Sequence, residues 1–352
     1  MSNYEYLNTR IRAMYSQLLA NEYYRELLSL KEVSLLIDSL LNSPYAVDLS
    51  NALATYSGHV AINKALRENL SKNVQKLLSY AEDKAAYWIK LLLSKWDAYN
   101  IKTIIRGKLR HQFPEDILYG VVPMANLKDV HLKELAEQED IGESIDLLTT
   151  WGYSLDSRIR KAVIDFYNDQ ESIHIVEIEN LIDRAYYKDL VERLKEKDKN
   201  AIFVEQIVRS EIDYLNILTS FKLVYDKSRP KESELFFIRG GYLKESLFES
   251  ILACQTLEEA SSLLEGTEFF SSVEKGVLYF AKSGRLYVME RFLEGVLIKK
   301  ACSMFRVDPL SISVAIGYLW KKYNEVINLR FIAWGIKYGM PANIIKGELI
   351  FV

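Results

Sequence analysis

The sequence predicts an all-α protein built from three similar units that close into a ring around an axial hollow. A ten-residue string, Asp-x-x-Asn-Ile-x-Thr-x-x-(Arg/Lys), occurs twice, and a relative of it occurs a third time near the end of the chain. Helix breakers are few, since only 6 Pro and 15 Gly occur in 352 residues. Repetition on this scale indicates one helical unit used three times.

The three copies of the string are about one third of the chain apart. The first copy comprises Asp97, Asn100, Ile101, Thr103 and Arg106. The second comprises Asp213, Asn216, Ile217, Thr219 and Lys222. The third keeps only Glu325, Asn328 and Leu329. Ungapped similarity continues for more than fifty positions beyond the first two copies, which favours duplication over chance.

A proline follows each copy at nearly the same distance. The three prolines are Pro114, Pro230 and Pro341. Proline lacks an N–H and rarely continues a helix. We therefore expect each asparagine to lie on a helix that ends at a proline-led loop.

The third copy is cut short because the chain ends at Val352. The stretch from Asp38 to Tyr45 resembles the stretches that end at Tyr153 and Phe269 in the first two copies. We therefore expect residues 1–46 to complete the third unit. The predicted units are 47–153, 154–270, and 271–352 joined with 1–46, and the two chain ends should lie close together.

Helical periodicity is clearest from residue 70 to residue 103. Apolar side chains recur there in steps of three and four, as on one face of a long helix. They are Leu70, Val74, Leu77, Ala81, Ala85, Trp88, Leu92, Trp96, Tyr99 and Thr103. No stretch sustains the alternation typical of strands. We interpret this stripe as the buried face of a helix and not as a cofactor site.

Composition narrows the functional classes. The formal net charge of residues 111–285 is −12, whereas residues 1–110 and 286–352 have formal net charges of +5 and +4. An acidic middle between two basic ends suits charged protein partners. It argues against a nucleic-acid-binding protein, which needs a strongly basic surface. No apolar run is long enough to span a bilayer, and the N-terminus does not resemble a signal peptide. Two distant cysteines, Cys254 and Cys302, indicate a reduced, intracellular protein.

Catalytic patterns are hard to find. The four histidines share no metal-ligand spacing, and a Walker loop is missing. His174 and Glu177 come nearest to a metal site, but a solvated helix start explains them more simply. The pair Gly240–Gly241 has no phosphate-loop context and reads as a turn. No catalytic residue, cofactor or metal is predicted.

The repeated asparagines have a structural explanation. A buried carboxamide donates and accepts hydrogen bonds, so it can fix the register of a neighbouring segment. We expect Asn100, Asn216 and Asn328 each to hold a helix against its adjoining loop. The acidic residue one turn earlier is expected to anchor a basic neighbour.

At these residues the chain resembles a known family. The stretch from Trp96 to Lys108, followed by Pro114, resembles the signature of the C-type subunit of archaeal and bacterial V-type (A-type) ATPases, whose eukaryotic counterpart is the d-type subunit. The stretches 6–14, 179–187 and 339–341 fit as well. The third copy departs from the pattern, since Glu325 replaces Asp and the Thr is lost.

This resemblance implies a funnel of three similar helical domains with a central cavity and no active site. It implies a place on the cytoplasmic side of the membrane, as a peripheral part of the complex. The implied partners are central-stalk subunits (D and F type) and the membrane rotor ring (c/K/L type), with the a/I-type stator protein as a further neighbour. The implied role is to couple ATP turnover to proton or sodium transport.

Two other functional classes stay open. A free-standing helical scaffold that binds peptides is one, although its usual repeats are far shorter than 116 residues. A toroidal α-helical enzyme with paired carboxylates in its hollow is the other. Association with a membrane complex would favour the coupling subunit, and recovery as a lone soluble monomer would favour the scaffold.

Overall fold

The computed structural model describes residues 4–153, 155–169, 172–195, 198–227, 233–284 and 287–352. Every regular element in these ranges is a helix, which confirms the predicted all-α class. The chain divides into two compact units, the first comprising Met1–Leu92 with Ile298–Val352 and the second Leu93–Leu297. The funnel of three domains, its central cavity and the predicted domain boundaries stay predictions.

The first unit combines the two ends of the chain. Its helices are α1 (Tyr4–Tyr15), α2 (Asn21–Leu27), α3 (Val33–Leu41), α4 (Ala46–Leu53), α5 (Gly58–Tyr80), nearly all of α6 (Asp83–Leu93), α18 (Ser313–Lys337) and α19 (Ala342–Glu348), with a short 3-10 helix at Met304–Arg306. The long helix α18 contacts α1, α3, α5 and α19. The amide of Asn8 on α1 donates to the carbonyl oxygens of Pro309 and Ser311, at 2.8 and 2.9 Å.

The second unit contains the first two copies of the repeated string. Its helices are α7 (Lys95–Leu109), α8 (Pro114–Gly120), α9 (Asp129–Glu137), α10 (Ile141–Thr150), α11 (Arg158–Asp169), α12 (Ser172–Arg193), α13 (Lys199–Tyr225), α14 (Glu245–Ala253), α15 (Leu257–Ser262), α16 (Phe270–Ser283) and most of α17 (Tyr287–Ser303), with a 3-10 turn at Ser233–Leu235.

Two hydrophobic cores in the second unit follow the repeat. One runs from Ala98 to Ile182 and the other from Ile217 to Leu297. Each begins on a helix that carries the asparagine, α7 or α13, and includes the shorter helices that follow. The spacing of the two cores matches the spacing of the sequence repeat, because equivalent apolar positions fill equivalent interiors.

The single long helix predicted across residues 70–103 is wrong. The segment forms α5, α6 and α7, with a break after Tyr80 and another at Ser94. Ala81 is extended and Asp83 has a φ of 45°, a left-handed conformation that aspartate tolerates better than most residues. Val74, Trp88 and Trp96 are buried as expected, because each short helix still turns its apolar face inward.

Candidate functional site: the repeated asparagine junctions

Each repeated asparagine bonds both backbone groups of one residue that lies 22 positions further along the chain. Asn100 donates to the carbonyl of Val122 at 2.8 Å and accepts from its N–H at 2.7 Å. Asn216 makes the same pair with Ile238, at 2.9 and 2.8 Å. Asn328 makes it with Ile350, at 2.9 and 3.1 Å. We call these three arrangements the asparagine junctions.

The geometry explains why this position uses a carboxamide. An amide side chain presents a donor and an acceptor side by side, so it can pair with a backbone N–H and C=O as a neighbouring strand would. All three asparagines are buried, with at most 1% of their surface exposed, so water cannot replace the bonds. Each junction therefore fixes the segment after a short helix against the long helix that carries the asparagine.

The acidic residue one turn before the asparagine holds a second segment. Asp97 accepts from the N–H groups of Asn126 and Leu127, at 3.1 and 2.9 Å. Asp213 accepts from those of Tyr242 and Leu243, at about the same distances. In these two copies the carboxylate accepts hydrogen bonds from backbone N–H groups, and the expected contact with a basic neighbour stays a prediction. Burial raises the pKa of Asp97, and the bonds it accepts from Leu127, Tyr153 and Asn126 oppose that rise.

The third copy takes its partners from the other end of the chain. Glu325 accepts from the N–H of Leu19 and from the hydroxyl of Tyr45, both at 2.6 Å. The corresponding hydroxyl in the first copy is that of Tyr153, which donates to Asp97 at 3.0 Å. Glu325 also pairs with Lys322 at 2.7 Å, so the expected basic neighbour is present in this copy. The N-terminal segment thus supplies the groups that a later stretch supplies in the first copy.

The prolines mark the short segments that the junctions hold. Pro114 is the first residue of α8, and Pro341 immediately precedes α19. The proline-led segments are therefore short helices in these two copies, in contrast to the expected loops, because proline suits the first turn of a helix. Pro230 lies outside the described residues.

A left-handed residue ends each asparagine helix, and the sequence pattern did not reveal it. His111, Lys227 and Gly339 have φ of 52°, 53° and 63°, and each lies eleven positions after its asparagine. In the first and third copies the next N–H bonds back to the helix, from Gln112 to Gly107 and from Met340 to Gly335. This is the Schellman arrangement, which usually places glycine at the left-handed position. Only the third copy has that glycine, so the signal is hidden in the other two.

The basic residue that ends the string pairs across to α12. The Nε of Arg106 donates to Glu179 at 2.7 Å, and its Nη2 contacts the same carboxylate oxygen. Lys102, one turn earlier, pairs with Asp183 at 2.6 Å. Burial alone would raise the pKa of Glu179, but the positive charges of Arg106, Lys222 and Lys102 outweigh burial and lower it. The basic signature residues of both copies therefore stabilise one carboxylate.

The described residues contain no group of three or more His, Cys, Asp and Glu side chains that could hold a metal ion. His174 Nδ1 and Glu177 Oε2 lie 3.8 Å apart on α12. Gly240 and Gly241 lie in a turn, where Gly240 has a φ of 115°, and a Cβ on Gly241 would collide with the carboxylate of Asp213. The loop after Ile238 thus needs glycine to approach the acidic signature residue. Among the helices of the described ranges, none has the length and apolar character needed to cross a membrane.

Comparison with known proteins places these junctions in a family context. The family model described as ATP synthase (C/AC39) subunit matches residues 7–348. The chain is 29% identical over 355 residues to the C-type subunit of the A-type ATP synthase of Methanosarcina mazei, covering 100% of this chain and 94% of that protein. It is 30% identical over 360 residues to the same subunit of Methanococcoides burtonii, covering 99% and 94%.

A third relative, the C-type subunit of the A-type ATP synthase of Haloquadratum walsbyi, is 27% identical over 354 residues, with 99% of each chain covered. Similarity therefore extends through both compact units, and the family model includes all three asparagines. The resemblance inferred from the stretch between Trp96 and Lys108 is confirmed. This chain belongs to the ATP synthase (C/AC39) subunit family.

Proposed function

We propose that this chain is the non-catalytic coupling subunit of a V-type or A-type rotary ATPase. It connects the central stalk to the membrane rotor ring, so that ATP hydrolysis or synthesis is coupled to proton or sodium transport. The observation that carries the proposal is the asparagine junction, built three times with the same 22-residue spacing in a member of the ATP synthase (C/AC39) subunit family.

A coupling subunit must transmit torque without absorbing it. Each junction ties a long helix to the segment that follows by two buried hydrogen bonds, and the acidic residue one turn earlier adds bonds to a second segment or to the N-terminal part of the chain. Close-packed interiors have low compressibility and transmit strain. Triplication suits a mechanical part better than an active site, because an active site needs only one copy of its chemistry.

The proposed partners are the D- and F-type stalk subunits, held in a funnel formed by the three repeats, and the c/K/L-type ring below it. The a/I-type stator protein is a further neighbour. The chain would lie on the cytoplasmic side as a peripheral component, attached through protein contacts, and would need no cofactor of its own.

The test separates coupling from catalysis. Membrane vesicles from cells lacking this chain should retain ATP hydrolysis in the soluble head, whereas ATP-driven ion uptake should be lost and then restored by adding the purified chain. A tagged chain should also co-purify with the stalk and ring subunits. Ion uptake that continues without the chain would refute the proposal, and recovery of the tagged chain as a lone monomer would favour the scaffold class.

A further inference from the structure

One surface of the first unit combines exposed aromatic rings with lysine. The rings of Trp334 and Tyr338, near the end of α18, lie 5.5 Å apart and are 41% and 60% exposed. The ring of His59, at the start of α5, lies 6.4 Å from that of Trp334. Lys337 Nζ lies 2.8 Å from His59 Nε2 and 5.0 Å from the centre of the Tyr338 ring.

Further exposed apolar side chains flank this cluster in the chain. Tyr56 and Val60 are on either side of His59, while Met340 and Ile344 follow Tyr338. We call Trp334, Lys337, Tyr338 and these flanking residues the aromatic face. Exposed apolar patches of this kind usually mark an interaction site.

The exposed charges beside the aromatic rings are basic. Residues 54–67 and 326–347, which carry the face, contain no aspartate or glutamate, and Glu325 and Glu348 at the ends of the second range are buried. Glu68 pairs with Lys64 at 3.3 Å, and Lys337 and Lys346 are exposed. The whole chain has a formal net charge of −3, so this local excess is a property of the face and not of the protein. The surface therefore complements an anionic, partly apolar partner.

We propose that the aromatic face binds the surface of a membrane that contains anionic lipid. Trp and Tyr are enriched where a polar headgroup layer meets hydrocarbon, because one part of each ring is apolar and another part is polar. Lysine reaches the headgroups while its alkyl stem covers apolar surface. Protein interfaces, in contrast, are depleted in lysine. The combination of Trp, Tyr and Lys without acidic residues favours lipid over a protein segment.

The first repeat provides a matched comparison. Phe113 precedes Pro114 just as Met340 precedes Pro341, and it is 74% exposed. Acidic residues follow it at once, Glu115 and Asp116, whereas Ala342 and Asn343 follow in the third copy. An exposed apolar residue beside two carboxylates should be repelled by an anionic surface. The inference thus predicts that membrane binding is confined to one copy, and it does not depend on the proposed function.

The test uses the purified full chain and vesicles of phosphatidylglycerol and phosphatidylcholine in equal parts. We expect the chain to sediment with these vesicles, less with phosphatidylcholine alone, and less at high salt. Lys337→Glu should lower the partition coefficient about tenfold or more, because each basic residue contributes about fivefold and the substitution reverses a charge. The double variant Trp334→Ser/Tyr338→Ser should abolish binding, whereas Phe113→Ser should leave it unchanged.

A measurement on the unmodified chain guards against misfolded variants. Of the five tryptophans, Trp88, Trp96 and Trp320 are buried, Trp151 is half-buried against a core of the second unit, and Trp334 is 41% exposed. Quenching by lipids with brominated acyl chains should therefore report mainly on Trp334. Lack of sedimentation with the anionic vesicles at low salt would overturn the inference. So would unchanged binding of the double variant, or a loss in Phe113→Ser equal to that in the double variant. These outcomes leave the coupling test unaffected, since that test measures ion uptake by the assembled complex.

Discussion

Replacing Asn100 with alanine should destabilise the second unit strongly. The substitution removes both hydrogen bonds to Val122 and leaves the N–H of that residue without its partner in a position that is 2% exposed, whereas the C=O still accepts from the N–H of Met124 at 2.9 Å. A buried backbone group left unsatisfied costs about 1–3 kcal/mol, and the lost bond to the C=O adds about 0.5–1.5 kcal/mol, so the total cost is about 1.5–4.5 kcal/mol. A loss of this size is a large fraction of the stability of an ordinary domain.

The assay is urea denaturation of the full chain, with hydrogen exchange at the Val122 amide as a local readout. The matched control is Asn42→Ala, because Asn42 is exposed and its side chain donates to the carbonyl of Asp38 at 2.9 Å, within reach of water. We expect the control to change the free energy of unfolding by less than about 0.5 kcal/mol. The exchange of the Val122 amide should be faster in Asn100→Ala and unchanged in the control.

The third junction gives an internal comparison. The carbonyl of Ile350 also accepts from Asn324 Nδ2 at 2.8 Å, just as the carbonyl of Val122 accepts from the N–H of Met124, so each carbonyl keeps one partner when its asparagine is replaced. We therefore expect Asn328→Ala to cost about as much as Asn100→Ala. If the free energies of unfolding of Asn100→Ala and Asn42→Ala differ by less than about 0.5 kcal/mol, the junction does not stabilise the fold and the reasoning is wrong.

Three further predictions concern other parts of the chain. His111→Gly should raise the free energy of unfolding by up to about 1 kcal/mol, because glycine accepts the left-handed conformation without strain. Thermal denaturation will detect this increase, and a loss of stability would show that the imidazole has another role. Tyr45→Phe should cost about 1–3 kcal/mol, since its buried hydroxyl donates to the Glu325 carboxylate and accepts from Lys322 Nζ at 2.8 Å. Tyr153→Phe should cost less, because Tyr153 is only half-buried and water can replace its hydroxyl; equal losses in urea denaturation would contradict this. Burial raises the pKa of Cys302 to about 12, so the rate of its alkylation by iodoacetamide should be low at neutral pH and should rise about tenfold per pH unit. Rapid labelling of Cys302 near neutral pH would contradict this and would show that the thiol is accessible.

Much of the repeat could be predicted from the sequence because duplication preserves residue type at equivalent positions. The correspondence of Tyr45 with Tyr153 is an example, since both hydroxyls bond the acidic residue of their copy. The predicted bond between each asparagine and a nearby segment followed from the chemistry of a buried carboxamide. The residue that pairs with each asparagine could not be predicted from the sequence, because no local pattern marks Val122, Ile238 or Ile350.

Other features depended on conformations that side-chain periodicity does not encode. The stripe from Leu70 to Thr103 identified the buried faces, but it did not reveal that the helix is interrupted near Asp83, where one left-handed residue redirects the chain. The left-handed ends at His111 and Lys227 were hidden because those residues are not glycine. Backbone strain of this kind is tolerated when surrounding contacts over-determine the conformation.

The amino-acid sequence by itself determined the helical class, the three copies and the family, because these depend on residue types and their spacing. Only the tertiary structure decided which backbone groups the asparagines bond, and that Glu325 takes its donors from Leu19 and Tyr45 near the other end of the chain. The physical reason is that a hydrogen bond needs two groups within about 3 Å, and folding alone brings together residues some 300 positions apart.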